Sequence, residues 1–361
     1  MAIVNLANAL SERNFDVEIL CTYHIGEPAY PLKSNITLRY LTKEKPNKTE
    51  FKRALQKKNP FLLLKESIHA VRILYHKKKT MKNALSQIEN GVVISTRNEH
   101  SLLLSKFGKP GVLKVAQLHN DHQFNKKLIS SIQRGYQNID YLLLLTSKAC
   151  REIESFLEGY NNKTKCLNIP NFINPVKFSS PIQKKYQVIA AGRLHSDKDF
   201  FCLLRIWSRI APQYPNLMLK IVGEGELEDS LKSQASQLGI SKQVLFTGVL
   251  SHDLLMAEMA QSICYLLTSR MESFGLVLVE SMSCGTVPIS FDVRVGPGEI
   301  IEDGISGFLV PERNEDIFSE RIVQLLSDSS LRQKMEMAAK KRAEYFYEDR
   351  VLQQWLALLQ Q

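Results

Sequence analysis

Glu272 and Glu280 bracket the run ESFGLVLVE, and two carboxylates at this spacing suit the recognition of hydroxyl groups. An ionised carboxylate only accepts hydrogen bonds, so a pair of them repels an anion and welcomes the paired hydroxyls of a sugar or ribose ring. The neighbouring runs set their positions. The short apolar run ICYLLT (263–268) predicts a buried strand. After the polar Ser269 and Arg270, residues 276–283 predict a helix closed by Gly285, with Pro288 beyond it. Glu272 therefore falls on the turn at a strand's carboxyl end, and Glu280 in the helix that follows. Open α/β sheets bind ligands at such turns, and the helix N-terminus favours an anionic group such as a diphosphate. Taken alone, the two residues also fit a surface Glu and a helix Glu with no joint role.

The segment before them supplies positive charge. In AAGRLHSDKDF (190–200) the run VIAAG ends a strand at Gly192, and a helix is expected to begin across residues 197–207. Arg193 and Lys198 then share one strand-to-helix loop, where two cations neutralise a diphosphate leaving group. LMLKIVGEGE, VLFTG and GPGEIIEDGISGFLV (296–310) complete the series. Each motif is weak by itself. Together, in this order, they resemble the nucleotide-sugar lobe of the family 4 glycosyltransferases, retaining enzymes of the two-lobed GT-B fold. The resemblance runs along the whole chain and is strongest over 188–310.

That resemblance implies an α/β protein of two Rossmann-like, doubly wound domains facing across a cleft: an acceptor domain (1–174), a nucleotide-sugar domain (175–344) and a terminal helix (345–361) crossing back to the first. It implies roles residue by residue. Glu272 matches the glutamate that contacts the donor sugar, and Phe274 and Gly275 the backbone amides beside it. Glu280 matches the ribose-binding glutamate. Arg193 and Lys198 match the pair that stabilises the departing diphosphate, with Gly192 in the same substrate-binding loop. Ser273 stands where the family often has Gly, a departure that tightens the sugar pocket. Glu299 is expected to cap the helix after it. Asp197-Lys198-Asp199 copies a DxD metal motif only superficially, so no metal and no other cofactor is assigned. Gly223 and Gly225 lack the third glycine of a nucleotide fingerprint.

In the first half VEIL, ITLRYL, VVIST, LKVAQLH, YLLLLTS and KCLNIPN are the strand candidates, and helical patterns between most of them imply a parallel sheet. LKVAQLH places His119 at a strand's carboxyl end. By resemblance it is the active-site histidine, a sugar-hydroxyl contact and acceptor-positioning group more than a general base. His122 reads as loop filler, and STRNEH (95–100) as part of the acceptor side. The linker is expected in IPNFINP and PVKFSSP (169–181), rich in Pro, Asn and Ser. The chain opens on what reads as the lobe's first helix, whereas the family places a strand and a Gly-rich turn before it.

Composition is that of a globular protein, with 44% apolar and 23% charged residues among 361. Six scattered cysteines without zinc spacing suit free thiols in a reducing cytosol. No run is long enough for a membrane span, and no signal peptide is evident. Charge is uneven: residues 1–180 hold 28 Lys and Arg against 14 Asp and Glu, and residues 181–361 hold 19 against 23. Phe61, Leu64, Ile68, Val71 and Tyr75 recur at helical spacing, with Lys65, His69, Arg72, His76 and Lys79 as a parallel stripe. The apolar face is expected in the core, and the stripe, with Lys77 and Lys78, on an anionic membrane surface.

The expected function is transfer of a sugar from a UDP- or GDP-linked donor to a hydroxyl of a lipid-linked glycan in cell-surface polysaccharide synthesis. The expected place is the inner face of the cell membrane, with no nucleic-acid partner. Two rivals stay open: a binding subunit of the same fold without turnover, and a nucleotide-sugar epimerase.

Overall fold

Apolar runs of strand length alternate with amphipathic segments, and they fold into two α/β units. The computed structural model describes residues 1–24, 26, 28, 30–43, 47–176, 178 and 182–360. One unit comprises Met1–Leu143 and Glu152–Leu167, the other Leu144–Arg151 and Asn168–Gln361. Lys177, Ser179, Ser180 and Pro181 of the expected linker, and Gln361 of the terminal segment, lie outside the described residues.

The first unit runs α1 (Ala2–Ser11), β1 (Glu18–Tyr23), β2 (Thr37–Thr42), α2 (Lys48–Gln56), α3 (Pro60–Gln87), β3 (Gly91–Ser95), α4 (Asn98–Phe107), β4 (Val112–Leu118), α5 (Lys126–Gly135), β5 (Tyr141–Leu144), α6 (Ser147–Leu157) and β6 (Lys165–Asn168), the last three reaching across the division. All six strand candidates are strands. They form two sheets rather than one: β1 pairs with β2 in parallel, and β3, β4, β5 and β6 make a four-stranded sheet. Val115, Leu142 and Leu143 in that sheet are fully buried, as alternating strand and helix layers require.

α3 corrects one expectation. Its residues Phe61, Leu64, Ile68, Val71 and Tyr75 do not enter the core; each is more than 60% exposed. The packing is done by the opposite face, through Ile73, Met81, Ala84 and Leu85. Periodicity shows that a helix has an apolar stripe, and this helix has two, only one of which the unit covers. Lys77 also leaves the basic stripe, since its Nζ lies 2.5 Å from Glu99 Oε1 on α4.

The second unit runs β7 (Gln187–Ala191), α7 (Phe200–Ile210), β8 (Met218–Val222), α8 (Glu228–Gln237), β9 (Val244–Gly248), α9 (His252–Gln261), β10 (Cys264–Leu267), α10 (Leu276–Ser283), β11 (Val287–Phe291), α11 (Pro297–Ile300), β12 (Phe308–Val310), α12 (Glu315–Ser327), α13 (Ser329–Ala343) and α14 (Glu348–Leu359). Its six strands are parallel in the order β12-β11-β10-β7-β8-β9. From β7 the chain winds outward through β8 and β9, then returns to place β10 on the other side of β7 and winds outward again. The reversal between β7 and β10 is a topological switch point, where the loops after the two strands part and leave a crevice at their carboxyl ends. Trp207, Tyr265, Phe291 and Phe318 are fully buried on either side of the sheet, so the crevice rests on a rigid floor.

Candidate functional site

The switch point gathers the second-unit candidates. The loop after β7 carries Gly192, Arg193 and Lys198, and the loop after β10 carries Glu272, Phe274 and Gly275. The two loops are joined directly: Lys198 Nζ donates to Glu272 Oε1 at 2.5 Å, and Ser269 Oγ donates to the same oxygen at 2.8 Å. The expected phosphate cation and the expected sugar-contacting carboxylate thus meet. Arg193 stays on the outer side, its side chain 79% exposed and 3.7 Å from Asp197.

Phe274 offers only its backbone, because its ring is buried and stands edge-on to Phe346 at 5.6 Å. Gly275 is the N-cap of α10 with φ 92°, a left-handed conformation that a side chain disfavours. The first N–H groups of α10 have no acceptor within a helix, so this turn presents donors to an anion. Glu280, on α10, is 4% exposed, and its Oε1 has no hydrogen-bond partner among the described residues. His252 Nδ1, at the start of α9, lies 3.9 Å from that oxygen. Burial pushes the Glu280 carboxyl up to about 7. A buried carboxylate left unpartnered is costly.

Several residues that shape this site were not singled out in the sequence. Asp199 adopts φ 48° as the N-cap of α7, and its carboxylate accepts from Arg270 Nε and from an Arg313 guanidinium nitrogen, each at 2.9 Å. Arg313 also donates to the Ser269 carbonyl at 2.9 Å, and Thr268 Oγ1 donates to the Lys198 carbonyl at 3.2 Å. Lys198 is therefore held by a clamp that ties its loop to the one bearing Glu272. The chain offers no local pattern for this clamp, since Arg313 lies 114 residues from Asp199. Gly223 explains itself the same way. A Cβ there would stand 2.0 Å from the Gly192 carbonyl oxygen, so the GEG turn is glycine to let β8's loop lie against β7's. Asp199→Ala removes the cap and both charge-assisted bonds, and is expected to cost about 1–3 kcal/mol of stability, read as a lower midpoint in urea denaturation. An unchanged midpoint would show that the clamp holds nothing.

Glu299 is also corrected. It lies inside α11 and caps no helix after it; its carboxylate accepts from the Ser147 N–H at 3.2 Å and Oγ at 2.9 Å, capping α6 instead. Asp197 accepts from His195 Nδ1 at 2.8 Å, so both carboxylates of the DKD run face cations.

In the first unit His119 follows β4 directly, at the strand's carboxyl end. Its Nε2 is buried and has no hydrogen-bond partner among the described residues, and burial lowers its pKa so that the ring is neutral. His122 is no loop filler. It is 1% exposed, its Nδ1 accepts from the Phe124 N–H at 3.1 Å, and its Nε2 meets Glu152 Oε2 at 2.8 Å. It braces the loop that follows His119, where Gln123 and Phe124 both have positive φ. Within STRNEH the Asn98 side chain is spent on Ser131 and Tyr136.

With this geometry in hand, comparison with known proteins is direct. A family model described as Glycosyl transferases group 1 matches residues 173–342. The GtfA subunit of a UDP-N-acetylglucosamine–peptide N-acetylglucosaminyltransferase of Streptococcus gordonii is 29% identical over 232 residues, covering 62% of this chain and 45% of that protein. A Campylobacter jejuni alpha-1,4-N-acetyl-D-galactosaminyltransferase, named for a glycan on diphospho-undecaprenol, is 25% identical over 363 residues, covering 99% of this chain and 93% of that one. The structure of Anabaena HepE in complex with UDP superposes with a TM-score of 0.72 at 17% identity, covering 95% of this chain and 100% of that chain. The match spans 45%, 29% and 63% of the length of the first three curated relatives.

Proposed function

Because residues 173–342 match the group 1 glycosyl transferases and the fold is that of GT-B enzymes, we propose that the chain is such an enzyme and transfers a sugar from a nucleoside-diphosphate sugar to a hydroxyl of a lipid-linked glycan. The observation that carries this reading is the meeting of Lys198 and Glu272 at the β7–β10 switch point, beside the N-terminus of α10 and the unpartnered carboxyl of Glu280. UDP is the favoured nucleotide, since HepE is seen with UDP. Diphospho-undecaprenol glycans are the favoured acceptors, since the relative matched over its near-full length is named for one.

The chemistry follows from charge. Glu280 takes the ribose hydroxyls and Glu272 a hydroxyl of the donor sugar, while the amides of Phe274 and Gly275 and the α10 N-terminus meet the diphosphate. As the bond from the anomeric carbon to the diphosphate breaks, its electron pair goes to the phosphate oxygen. Lys198, already held against Glu272, opposes that growing charge, and Arg193 joins it from the rim of the crevice. The acceptor hydroxyl attacks from the face the diphosphate leaves, its proton passing to the departing phosphate, so the anomeric configuration is retained. His119, neutral and with a free ring nitrogen, contacts a sugar hydroxyl. Fixed cations serve where a metal otherwise would, so the transfer needs no metal cofactor.

Among the described residues no helix is long and apolar enough to cross a membrane. In our reading, work on a lipid-linked acceptor takes place peripherally at the inner face of the cell membrane, in bacterial surface-glycan synthesis. Incubation with UDP-sugars and diphospho-undecaprenol glycans, with chelator present, is expected to yield a longer lipid-linked glycan whose new linkage keeps the donor's configuration. An epimerised free nucleotide sugar would favour the epimerase instead. Donor binding without transfer to any such acceptor would favour a binding subunit.

A further inference from the structure

We infer that His252 is a second contact to the nucleotide's ribose. It donates to the hydroxyl whose proton Glu280 Oε1 accepts, and so selects a ribonucleotide donor over a deoxyribonucleotide one. This contact rests on the donor site proposed above and adds a residue to it. β9 ends at Gly248, whose φ of 71° turns the chain, and α9 opens with Ser251 as its N-cap and His252 as its first residue. Ser251 Oγ accepts from the Leu254 N–H at 3.4 Å, which fixes the start of the helix. His252 Nδ1 then stands 3.9 Å from Glu280 Oε1, the atom that burial leaves with no hydrogen-bond partner among the described residues. A direct hydrogen bond would bring the two to about 2.7–3.2 Å.

The packing of the two helices holds this gap open. Lys184 Nζ donates to the Ser262 carbonyl at 2.8 Å and the Gly285 carbonyl at 2.9 Å, joining the ends of α9 and α10. Thr286 Oγ1 donates to the Met259 carbonyl at 2.5 Å, and Cys284 Sγ meets the Met256 carbonyl at 3.5 Å. Met256, Met259, Leu278, Val279 and Met282 are buried in one cluster, so closing the gap would compress a full core. What fits is one oxygen: two hydrogen bonds of about 2.8 Å meeting at about 90° span the distance. That oxygen must donate to the carboxylate and accept from Nδ1 when the nitrogen carries the ring proton. A hydroxyl does both, whereas a phosphate or carbonyl oxygen only accepts. With the diphosphate at the α10 N-terminus and the donor sugar at Glu272, the hydroxyl that reaches Glu280 farther along α10 belongs to the ribose. The His252 side chain is 47% exposed, so it reaches the gap from the solvent side and its loss leaves no hole in the core.

Calorimetry of UDP, 2′-deoxy-UDP and 3′-deoxy-UDP against the parent, His252→Ala and His252→Asn tests this. The parent is expected to bind UDP about tenfold or more tighter than at least one of the deoxy nucleotides. His252→Ala is expected to weaken UDP by about three- to tenfold and to leave that deoxy nucleotide within about twofold of its parent affinity. The deoxy nucleotide has already lost the hydroxyl that the ring would hold. His252→Asn, whose amide nitrogen can stand near the place of Nδ1, is expected to restore most of the preference. A loss in His252→Ala shared equally by UDP and both deoxy nucleotides would overturn the inference, leaving His252 as a brace for the start of α9. So would UDP binding unchanged in that variant, since a water would then serve the gap as well as the ring does. Failure of UDP to bind the parent would strike the donor reading itself, and this contact with it.

Discussion

Lys198→Ala is expected to lower kcat by about 10²–10³-fold while moving the donor's KM by less than about tenfold. The asymmetry follows from when the charge appears. In the bound donor the diphosphate already has its charge spread over esterified oxygens, and Lys198 has Glu272 as a partner. As the glycosidic bond breaks, new negative charge collects on the phosphate oxygen, and a cation already clamped in place stabilises that state more than the one before it. Asp199, Arg313 and Thr268 hold the lysine's loop, so little reorganisation is needed at that moment. Steady-state kinetics on purified variant and parent decide the matter. A rise in KM alone would make Lys198 a ground-state binder.

Glu280→Gln is expected to stabilise the protein above neutral pH and to leave it unchanged in acid. The sign follows from proton counts. The carboxyl has a value of 4.5 when unperturbed and about 7 in the folded protein, raised by burial. Between those two values the folded state holds more protons than the unfolded one, so stability falls as pH rises through this window. At about 1.36 kcal/mol per pH unit the loss reaches about 3 kcal/mol above pH 7. Glutamine keeps the shape and carries no charge, so thermal unfolding at pH 8 should show a higher midpoint for the variant, with the gap closing towards pH 4.5. Equal midpoints at pH 8 would mean that Glu280 is not destabilised by burial. A ligand hydroxyl donated to Oε1 relieves the same cost, which ties the residue's instability to its use.

Short-range pattern carried much of this structure. ICYLLT, the turn after it and the helix over 276–283 are where the apolar run, Gly275 and Gly285 put them, because each is decided by neighbours within a few residues. The order of strands in the second sheet, and with it the switch point, comes from pairings between distant runs that no local window contains. Four features escaped. The Asp199 clamp joins residues far apart in the chain, so no local window contains it. His122 stands beside acidic and aromatic partners, Glu152 and Phe156, that come from another helix. The outward row on α3 has the periodicity of a core face, and periodicity is blind to which of two faces meets the rest of the protein. Glu299 escaped differently: capping was right in kind, but the helix it caps comes from far earlier in the chain.

The central claim is that the crevice between the β7 and β10 loops takes a nucleoside diphosphate with its ribose on Glu280. Titration calorimetry of UDP against the parent protein and Glu280→Ala tests it most directly. Saturable binding to the parent, weakened about 10–100-fold in the variant by loss of hydrogen bonds to a charged acceptor, is the predicted result. No binding of UDP to the parent, or equal binding to a folded Glu280→Ala variant, would contradict it.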